Sequence, residues 1–277
     1  MSIRQTLSAH GLSPKKRFGQ NFLVESKIAE RIAGAATTPP GGVVLEIGAG
    51  LGALTRHLLE RAGRVVAIER DRDLIPILRG ELAESIAEGR LEVVEADAVQ
   101  ADWAAALATG PQPRVVVGNL PYLITGRLLE RATSIAESID GAVFMVQAEV
   151  ADRLIAPAGS KAYGALTVFV QAAFDVRRIL SVKAGAFYPK PDVDSAVVHL
   201  VPHRPRRAEE TAAFQEAVKA AFSMRRKTLR NAWRGLYGWS REELAVRAAE
   251  AGITLDARGE TLGVEDFDRI ARATAAP

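Results

Sequence analysis

A glycine-rich turn and three acidic residues are placed where they could hold a nucleotide-like ligand. The stretch Gly48-Ala49-Gly50-Leu51-Gly52 follows an apolar run and precedes a helical pattern, and glycines let a backbone turn tightly and approach a ligand. Glu46 precedes the turn, where its charge would repel a pyrophosphate but not a cationic sulfonium. Glu69 and Asp97 follow the next two apolar runs, at the levels of a ribose and an adenine ring. The combination favours S-adenosylmethionine (SAM) over NAD.

The tetrapeptide Asn119-Leu120-Pro121-Tyr122 follows a fourth apolar run. The Asn119 side chain and the Leu120 carbonyl could accept hydrogen bonds from an exocyclic amine and localise its lone pair, as attack on a methyl group requires. Pro121 restricts the backbone and helps to aim the carbonyl, and Tyr122 can stack on a base, which is worth ~1–3 kcal/mol. The tetrapeptide resembles the signature of SAM-dependent methyltransferases that act on exocyclic amines of nucleic-acid bases.

The elements that must position these residues follow from the alternation of short apolar runs with helical patterns. Strand-like runs cover residues 43–47, 65–68, 91–94, 115–117 and 141–146, and helical patterns cover 26–36, 54–61, 74–88 and 128–138. Such an alternation predicts a mostly parallel sheet with helices on both faces. Residues 169–176 and 196–201 are apolar enough to complete the sheet as antiparallel strands. The predicted fold class is a Rossmann-like α/β methyltransferase sheet.

A change of composition near residue 203 predicts a domain boundary. We expect a SAM-dependent catalytic domain over residues 1–202, with a basic N-terminal arm, and a small all-helical domain over 203–277. In the second domain, apolar residues at helical spacing accompany arginines at every fourth position, which predicts one packed helix over 214–237 with a basic stripe. The apolar positions are Phe222, Leu229, Trp233 and Leu236, and the arginines are Arg226, Arg230 and Arg234.

The charge is unevenly distributed along the chain. There are 36 Lys and Arg residues against 33 Asp and Glu, yet residues 1–20 carry a net +4, residues 203–234 carry +6, and the remainder carries −7. Two basic segments on an acidic body indicate a polyanion-binding surface. The alternative is an ordinary solvated, charged face.

Composition excludes several kinds of chemistry. The 277 residues include no cysteine, so disulfides, thiolate zinc sites, iron–sulfur clusters and cysteine nucleophiles are ruled out. The four histidines show no arrangement typical of a metal site or a catalytic triad, and we expect no metal. No apolar run approaches the roughly 20 residues of a membrane span, and the N-terminus lacks the apolar core of a signal peptide. We therefore expect a cytoplasmic protein that does not bind membranes.

Four further stretches resemble motifs of the KsgA-type small-subunit rRNA adenine dimethyltransferase family. They are residues 15–23, 160–164, 187–195 and 222–231. With the tetrapeptide they occur in the family's order and span most of the chain. The resemblance implies SAM-dependent transfer of two methyl groups to each of two adjacent adenines in the 3′-terminal hairpin loop of 16S rRNA. It further implies action on the immature small ribosomal subunit, and we expect a monomer.

The resemblance also implies site residues, carried over by matching position. The SAM site would be lined by Asn21, Leu23, Gly48, Gly50, Glu69, Asp97 and Asn119. The base site would comprise Asn119, Leu120, Pro121 and Tyr122, with Phe187 facing Tyr122 across the target base. Apart from these matched positions, the two basic segments would hold the rRNA phosphates, so we expect residues 203–277 to form an rRNA-binding domain. The cations concerned are Lys15, Lys16, Arg17, Arg225, Arg226, Lys227 and Arg230. At Ala148 the chain lacks a lysine that many members carry, which we expect to weaken one RNA contact.

Three other interpretations remain open at this stage. The related Erm-type enzymes methylate an adenine of large-subunit rRNA, although Leu120 and the long basic C-terminal region favour the small-subunit type. A non-catalytic checkpoint in subunit assembly could use the same fold for binding alone, although the intact tetrapeptide favours catalysis. An NAD-linked dehydrogenase is the third.

Overall fold

Nine strands build the sheets of the computed structural model, which describes residues 3–108 and 110–274. The strands are β1 (Phe22–Leu23), β2 (Val43–Ile47), β3 (Arg64–Glu69), β4 (Leu91–Glu95), β5 (Arg114–Asn119), β6 (Gly141–Gln147), β7 (Phe174–Val182), β8 (Phe187–Tyr188) and β9 (Ser195–Pro202). The five apolar runs between residues 43 and 146 all form strands, as predicted. Strand β2 is buried along its whole length, which explains why its sequence is apolar apart from Glu46.

The helices connect and cover these strands. They are α1 (Ile3–Ala9), α2 (Ser26–Ala36), α3 (Thr55–Leu59), α4 (Ile75–Glu81), α5 (Ala83–Ala87), α6 (Trp103–Ala108), α7 (Thr125–Ser134), α8 (Ala148–Leu154), α9 (Ala165–Ala173), α10 (Ala212–Ser223), α11 (Leu229–Ala232), α12 (Arg241–Glu250) and α13 (Val264–Arg272). None of those in the described ranges combines the length and apolarity that a bilayer crossing requires.

The strand order creates a ligand crevice. Seven strands form one sheet in the order β4-β3-β2-β5-β6-β9-β7, in which β2 to β6 pair in parallel and β9 is antiparallel to β6. Going outward from the middle of the sheet, the chain adds β3 and β4 on one side of β2, and β5 and β6 on the other. The connections that follow β2 and β5 therefore run in opposite directions, which opens a crevice at the carboxyl ends of these two strands. A second, two-stranded sheet pairs β1 with β8 and aligns Leu23 with Phe187.

One predicted strand is largely a helix. Residues 165–173 form α9, and β7 begins only at Phe174, so the prediction of a strand over 169–176 was wrong for most of its length. A short, continuously apolar run does not distinguish a strand from a buried helix by periodicity. The helix begins where Thr167 Oγ1 accepts a hydrogen bond from the Gly164 N–H at 3.1 Å, a local signal that the periodicity does not contain.

The chain divides into two compact units. The first comprises the residues up to Ala151 together with Val176–Pro202, and the second comprises Asp152–Asp175 together with the residues from His203 onward. One change of unit falls between Pro202 and His203. The sequence analysis did not anticipate that Asp152–Asp175, which contains α9, would leave the first unit.

The helical unit corrects the prediction of one long basic helix over 214–237. Helix α10 ends at Ser223, and α11 begins only at Leu229, after Thr228 as its N-cap residue. The N–H groups of Leu229 and Arg230 donate to carbonyls of the 255–257 segment, at 2.8 and 2.9 Å, instead of continuing α10. The predicted apolar positions nevertheless share one core with Phe267. Arg226 lies in the helix break, Arg230 in α11 and Arg234 beyond it, so the three arginines do not lie on one continuous helix.

Candidate active site

A cavity at the carboxyl ends of β2, β3 and β5 gathers most of the predicted site. All seven residues proposed for SAM line it, as do the four residues of the tetrapeptide, whereas Phe187 does not. Its wall is completed by Arg17 to Phe22, which reach it from the N-terminal segment. All these residues belong to the first unit. The cavity lies at the switch point between β2 and β5, where open α/β sheets bind their ligands.

The glycine turn is fixed to the end of β3. Gly48 and Gly50 have positive φ angles of 75° and 57°, a region that side-chain-bearing residues rarely adopt. The Gly48 N–H donates to the Ile68 carbonyl at 2.9 Å, and the Gly50 N–H donates to Glu69 Oε2 at 2.8 Å. These N–H groups are therefore not available to a phosphate. The N–H groups of residues 48–50 are used within the protein, so this part of the turn can border a ligand but cannot bind an anion.

Glu69 links this turn to the loop that follows β3. Its Oε2 accepts from Gly50, and its Oε1 accepts from the N–H groups of Arg70 and Asp71 at 2.8 and 2.7 Å. Burial raises the pKa of Glu69, and the backbone hydrogen bonds oppose that shift. An ionised carboxylate offers about four acceptor positions. Three are in use, so Glu69 can accept about one further hydrogen bond, as from a ribose hydroxyl.

Glu46 is a buried acid without a neutralising partner. It is 1% exposed and lines the cavity, and its Oε2 has no hydrogen-bond partner in the part of the chain that the structure describes. Burial raises its pKa to about 7, the nearby Glu69 adds to the shift, and the Thr55 hydroxyl opposes it. A cation in the cavity would stabilise the ionised form. The residues present therefore fit a sulfonium ligand such as SAM.

Asp97 is held at the third strand end by two contacts. Its Oδ1 accepts from the Val99 N–H at 3.0 Å, and its Oδ2 lies 3.2 Å from Arg70 Nη1. The Arg70 guanidinium carbon lies 5.4 Å from the centre of the Phe18 ring, a distance typical of a cation–π contact. Arg70 and Phe18 both line the cavity. The sequence analysis missed both, although Phe18 lies within the 15–23 motif and Arg70 directly follows Glu69 at the end of β3.

The amide of Asn119 is oriented by the N-terminal segment. Its Nδ2 donates to the Asn21 backbone carbonyl at 3.0 Å. The amide oxygen Oδ1 is therefore the end that can accept a hydrogen bond from a ligand. This contact explains in structural terms why Asn21 and Asn119 belong to one site although they are 98 residues apart.

The rest of the tetrapeptide forms a turn whose hydrogen bonds do not use the Leu120 carbonyl. Leu120 is buried, and its N–H donates to the Met145 carbonyl at 3.0 Å. The Pro121 carbonyl, in contrast, accepts from the Ile124 N–H at 3.1 Å and from Thr125 Oγ1 at 3.0 Å. A ligand amine could thus use the Leu120 carbonyl without breaking the turn.

The two predicted stacking aromatics differ in their placement. Tyr122 lines the cavity, and its hydroxyl lies 2.7 Å from Oγ of the buried Ser195, so the ring is anchored at its far end. Burial raises the pKa of this hydroxyl. Phe187 is 4% exposed and lies among core residues that include Leu23. Its predicted position opposite Tyr122 across a base remains a prediction.

Three of the seven cations predicted to bind RNA are paired within the chain. Lys15 contacts Asp71 and Asp73, and Arg230 contacts Asp256 at 3.0 Å. Arg225 contacts Glu260 at 3.3 Å and donates to two backbone carbonyls. The other four are exposed and form no ion pair in ranges 3–108 and 110–274: Lys16, Arg17, Arg226 and Lys227. Nor do the described residues hold a cluster of three or more metal ligands.

Comparison with known proteins identifies the family of the chain. The model of the family described as "Ribosomal RNA adenine dimethylase" matches residues 11–275. The chain is 42% identical to ribosomal RNA small subunit methyltransferase A from Anaeromyxobacter sp. (strain K), over 98% of this chain and 97% of the relative. A dimethyladenosine transferase structure from Plasmodium falciparum is 27% identical, with a TM-score of 0.75, over 89% of this chain and 94% of that one. The 23S rRNA methyltransferase ErmE is 28% identical, with a TM-score of 0.66, over 92% and 100%.

Proposed function

Since this chain belongs to the ribosomal RNA adenine dimethylase family and is a SAM-dependent methyltransferase, we propose that it methylates N6 of two adjacent adenines in the 3′-terminal hairpin loop of 16S rRNA. Each adenine would receive two methyl groups, during maturation of the small ribosomal subunit. The observation that carries this proposal is the orientation of the Asn119 amide by the Asn21 carbonyl.

Adenine's exocyclic amine is a poor nucleophile, because its lone pair is delocalised into the ring. Asn119 Oδ1 and the Leu120 carbonyl are two acceptors on consecutive residues, and the amine has two N–H groups. Hydrogen bonds to both would favour a pyramidal nitrogen with a localised lone pair. Because these bonds strengthen as the nitrogen attacks, they stabilise the transition state more than the ground state.

Tyr122 would support the target base after it leaves the RNA stack. Eversion has a cost of a few kcal/mol, which is smaller in a loop than in a duplex, and stacking on an aromatic ring returns ~1–3 kcal/mol. The hydrogen bond to Ser195 restricts the ring before the base arrives. The buried Phe187 could contribute from the opposite side only if its surroundings move.

SAM, when bound, supplies a methyl carbon that is already activated by a sulfonium. Glu69 would accept from a ribose hydroxyl, Asp97 would lie near the adenine ring, and Glu46 would stabilise the positive charge. The turn at 48–52 and the N-terminal segment would exclude water and restrict the approach of the amine, and such positioning is the main contribution these residues can make. The methylated amine is cationic, so its proton can leave to water without a dedicated base.

The RNA would be held by exposed cations on each unit. Arg17 and Lys16 lie on the first unit, where Arg17 lines the cavity, and Arg226 and Lys227 lie in the helix break of the second. Contacts of this kind to phosphates contribute affinity and register more than base discrimination. Since every cavity-lining residue comes from one unit of one chain, we propose that a monomer is active. A cytoplasmic location follows from the proposed rRNA substrate.

Labelled SAM offered with unmodified small or large ribosomal subunits tests this proposal. Mapping of the labelled nucleotides should show N6-dimethyladenosine at two adjacent positions of the 16S rRNA hairpin loop. The chain is also similar to ErmE, whose name describes a 23S rRNA methyltransferase. Label on an adenine of 23S rRNA would instead support that function. Absence of label from both RNAs, with SAM bound, would contradict the proposal.

A further inference from the structure

A buried carboxylate links the N-terminal segment to the loop after β3. Asp71 has only 3% of its side chain exposed and contacts the Lys15 ammonium. Its Oδ2 accepts from Gln20 Nε2 at 2.6 Å. The Lys15 N–H donates to Gln20 Oε1 at 2.8 Å, and the Lys15 ammonium also contacts Asp73 Oδ2 at 2.6 Å. Lys15, Gln20 and Asp71 thus form a closed cluster, in which the Gln20 side chain bonds to the Asp71 carboxylate and to the backbone N–H of Lys15.

This cluster differs from an ordinary surface ion pair. An exposed pair is worth little, whereas removing one partner of a buried pair leaves a charge that is neither solvated nor neutralised. Burial by itself opposes ionisation of Asp71, but the hydrogen bonds from Lys15 and Gln20 outweigh it and lower its pKa. Asp71 is therefore ionised, and its ionised form depends on the hydrogen bonds from the N-terminal segment.

The cluster is connected to both halves of the active site. Gln20 is followed by Asn21, whose carbonyl accepts from Asn119 Nδ2. On the other side, the Asp71 N–H donates to Glu69 Oε1, and Glu69 Oε2 accepts from Gly50. Asp71 thus contacts two groups. One is the segment that orients the Asn119 amide, and the other is Glu69, which fixes the glycine turn.

We propose that Asp71 is a positioning residue for methyl transfer, which holds residues 15–21 against the cavity so that Asn21 keeps the Asn119 amide with Oδ1 toward the target amine. The inference rests on the role of Asn119 under the proposed function. It assigns Lys15 to this cluster and not to rRNA phosphates. Misplacement of a reacting group by about 1 Å can lower a rate on the order of 100-fold.

Steady-state methylation of small subunits by full-length variants tests the proposal. For Asp71→Asn and Lys15→Met we expect kcat to fall about tenfold or more, with the KM for the subunit and its salt dependence within about threefold of wild type. Lys15→Arg keeps a cation within reach of Asp71 and should retain most of the rate. Glu92→Gln, which breaks the ion pair with Arg64 at the entry to the parallel strands, is the matched control and should leave kcat unchanged.

Three outcomes would overturn the proposal. One is a folded Asp71→Asn or Lys15→Met enzyme with wild-type kcat. Another is a loss of thermal stability alone, with kcat unchanged when it is calculated per folded enzyme, as counted by S-adenosylhomocysteine binding. That result would make the cluster merely structural. The third is a change only in the subunit KM and salt dependence, which would make Lys15 a phosphate contact. If Asp71→Asn does not fold, the comparison of Lys15→Met with Lys15→Arg carries the test.

Asn119→Ala, measured in parallel, separates this inference from the function on which it rests. An active Asn119→Ala enzyme would refute the proposed base site. An inactive Asn119→Ala enzyme beside a fully active Asp71→Asn enzyme would refute only the positioning role.

Discussion

The side-chain amide of Asn119 donates a hydrogen bond to the backbone carbonyl of Asn21, with 3.0 Å between Nδ2 and O. The donor and acceptor come from the end of β5 and from the segment before β1. Because the amide is bonded through its nitrogen, the orientation of its oxygen is set before any base enters. Such preorganisation avoids reorganisation during the reaction, which is a principal source of catalytic power.

Asn119→Ala should abolish most methyl transfer while preserving donor binding. Removal of a preorganised hydrogen-bonding group lowers turnover by about 100- to 1,000-fold, and we expect at least this loss in single-turnover methylation. SAM affinity, measured by calorimetry, should stay within about tenfold of wild type, because Glu46, Glu69 and Asp97 remain. Unaltered turnover would refute the role assigned to this amide.

Tyr122 offers a pair of variants that separates its ring from its hydroxyl. Tyr122→Phe loses the hydrogen bond to Ser195 but keeps the stacking surface, so we expect a change of a few-fold at most in kcat/KM. Tyr122→Ala loses ~1–3 kcal/mol of stacking, which corresponds to roughly 5- to 150-fold in kcat/KM. Equal effects of the two substitutions would show that the ring does not stack on the substrate.

The sequence predicts the parallel sheet well, for a physical reason. Strands buried on both faces must be continuously apolar, so β2 to β6 are visible as runs, and the polar residues that interrupt or follow them mark the crevice. Glu46, Glu69, Asp97 and Asn119 were all found in this way, and the structure places them around one cavity.

Other features depend on contacts that periodicity does not encode. The helix break before Leu229 is set by hydrogen bonds to the 255–257 segment, which is distant in sequence. The pairing of Lys15 with Asp71 spans 56 residues, so a lysine in a basic run was predicted to bind RNA although its charge is already neutralised. Charge patterns identify the cations of a chain, but they do not show which of these remain free of an ion pair and available to bind RNA.

The exposed cations of the helical unit should make RNA binding sensitive to salt. If Arg226 and Lys227 contact phosphates, each alanine substitution should weaken subunit binding and reduce the slope of log affinity against log salt by about 1. Arg247→Ala, which removes a cation paired with Glu250 on α12, is the control. Filter binding between low and moderate salt measures the slope, and a slope unchanged in both Arg226→Ala and Lys227→Ala would argue against this surface.

Glu46 should make folding stability fall as pH rises. Its pKa of about 7 in the folded protein exceeds the ordinary glutamate value of 4.5, so the folded state keeps a proton that the unfolded state has lost. Stability contributed by the neutral form is complete below pH 4.5 and is lost as the pH rises to about 7, by about 3 kcal/mol in total. Urea unfolding of Glu46→Gln should lack this loss. Parallel pH profiles for wild type and Glu46→Gln would contradict the assignment.

The titration of Glu46 should also affect SAM binding. Whereas folding stability falls as the pH rises, SAM affinity should increase. A cationic ligand stabilises the ionised carboxylate, so SAM binding must release a proton from Glu46 wherever the free enzyme holds it. SAM affinity should therefore rise with pH from about 6 to 8 in wild type, and this rise should disappear in Glu46→Gln. S-adenosylhomocysteine, whose sulfur is neutral, should show a smaller rise, because it offers less positive charge to Glu46. Calorimetry at several pH values measures all three profiles. Identical pH dependence for the two ligands would show that Glu46 does not sense the sulfonium.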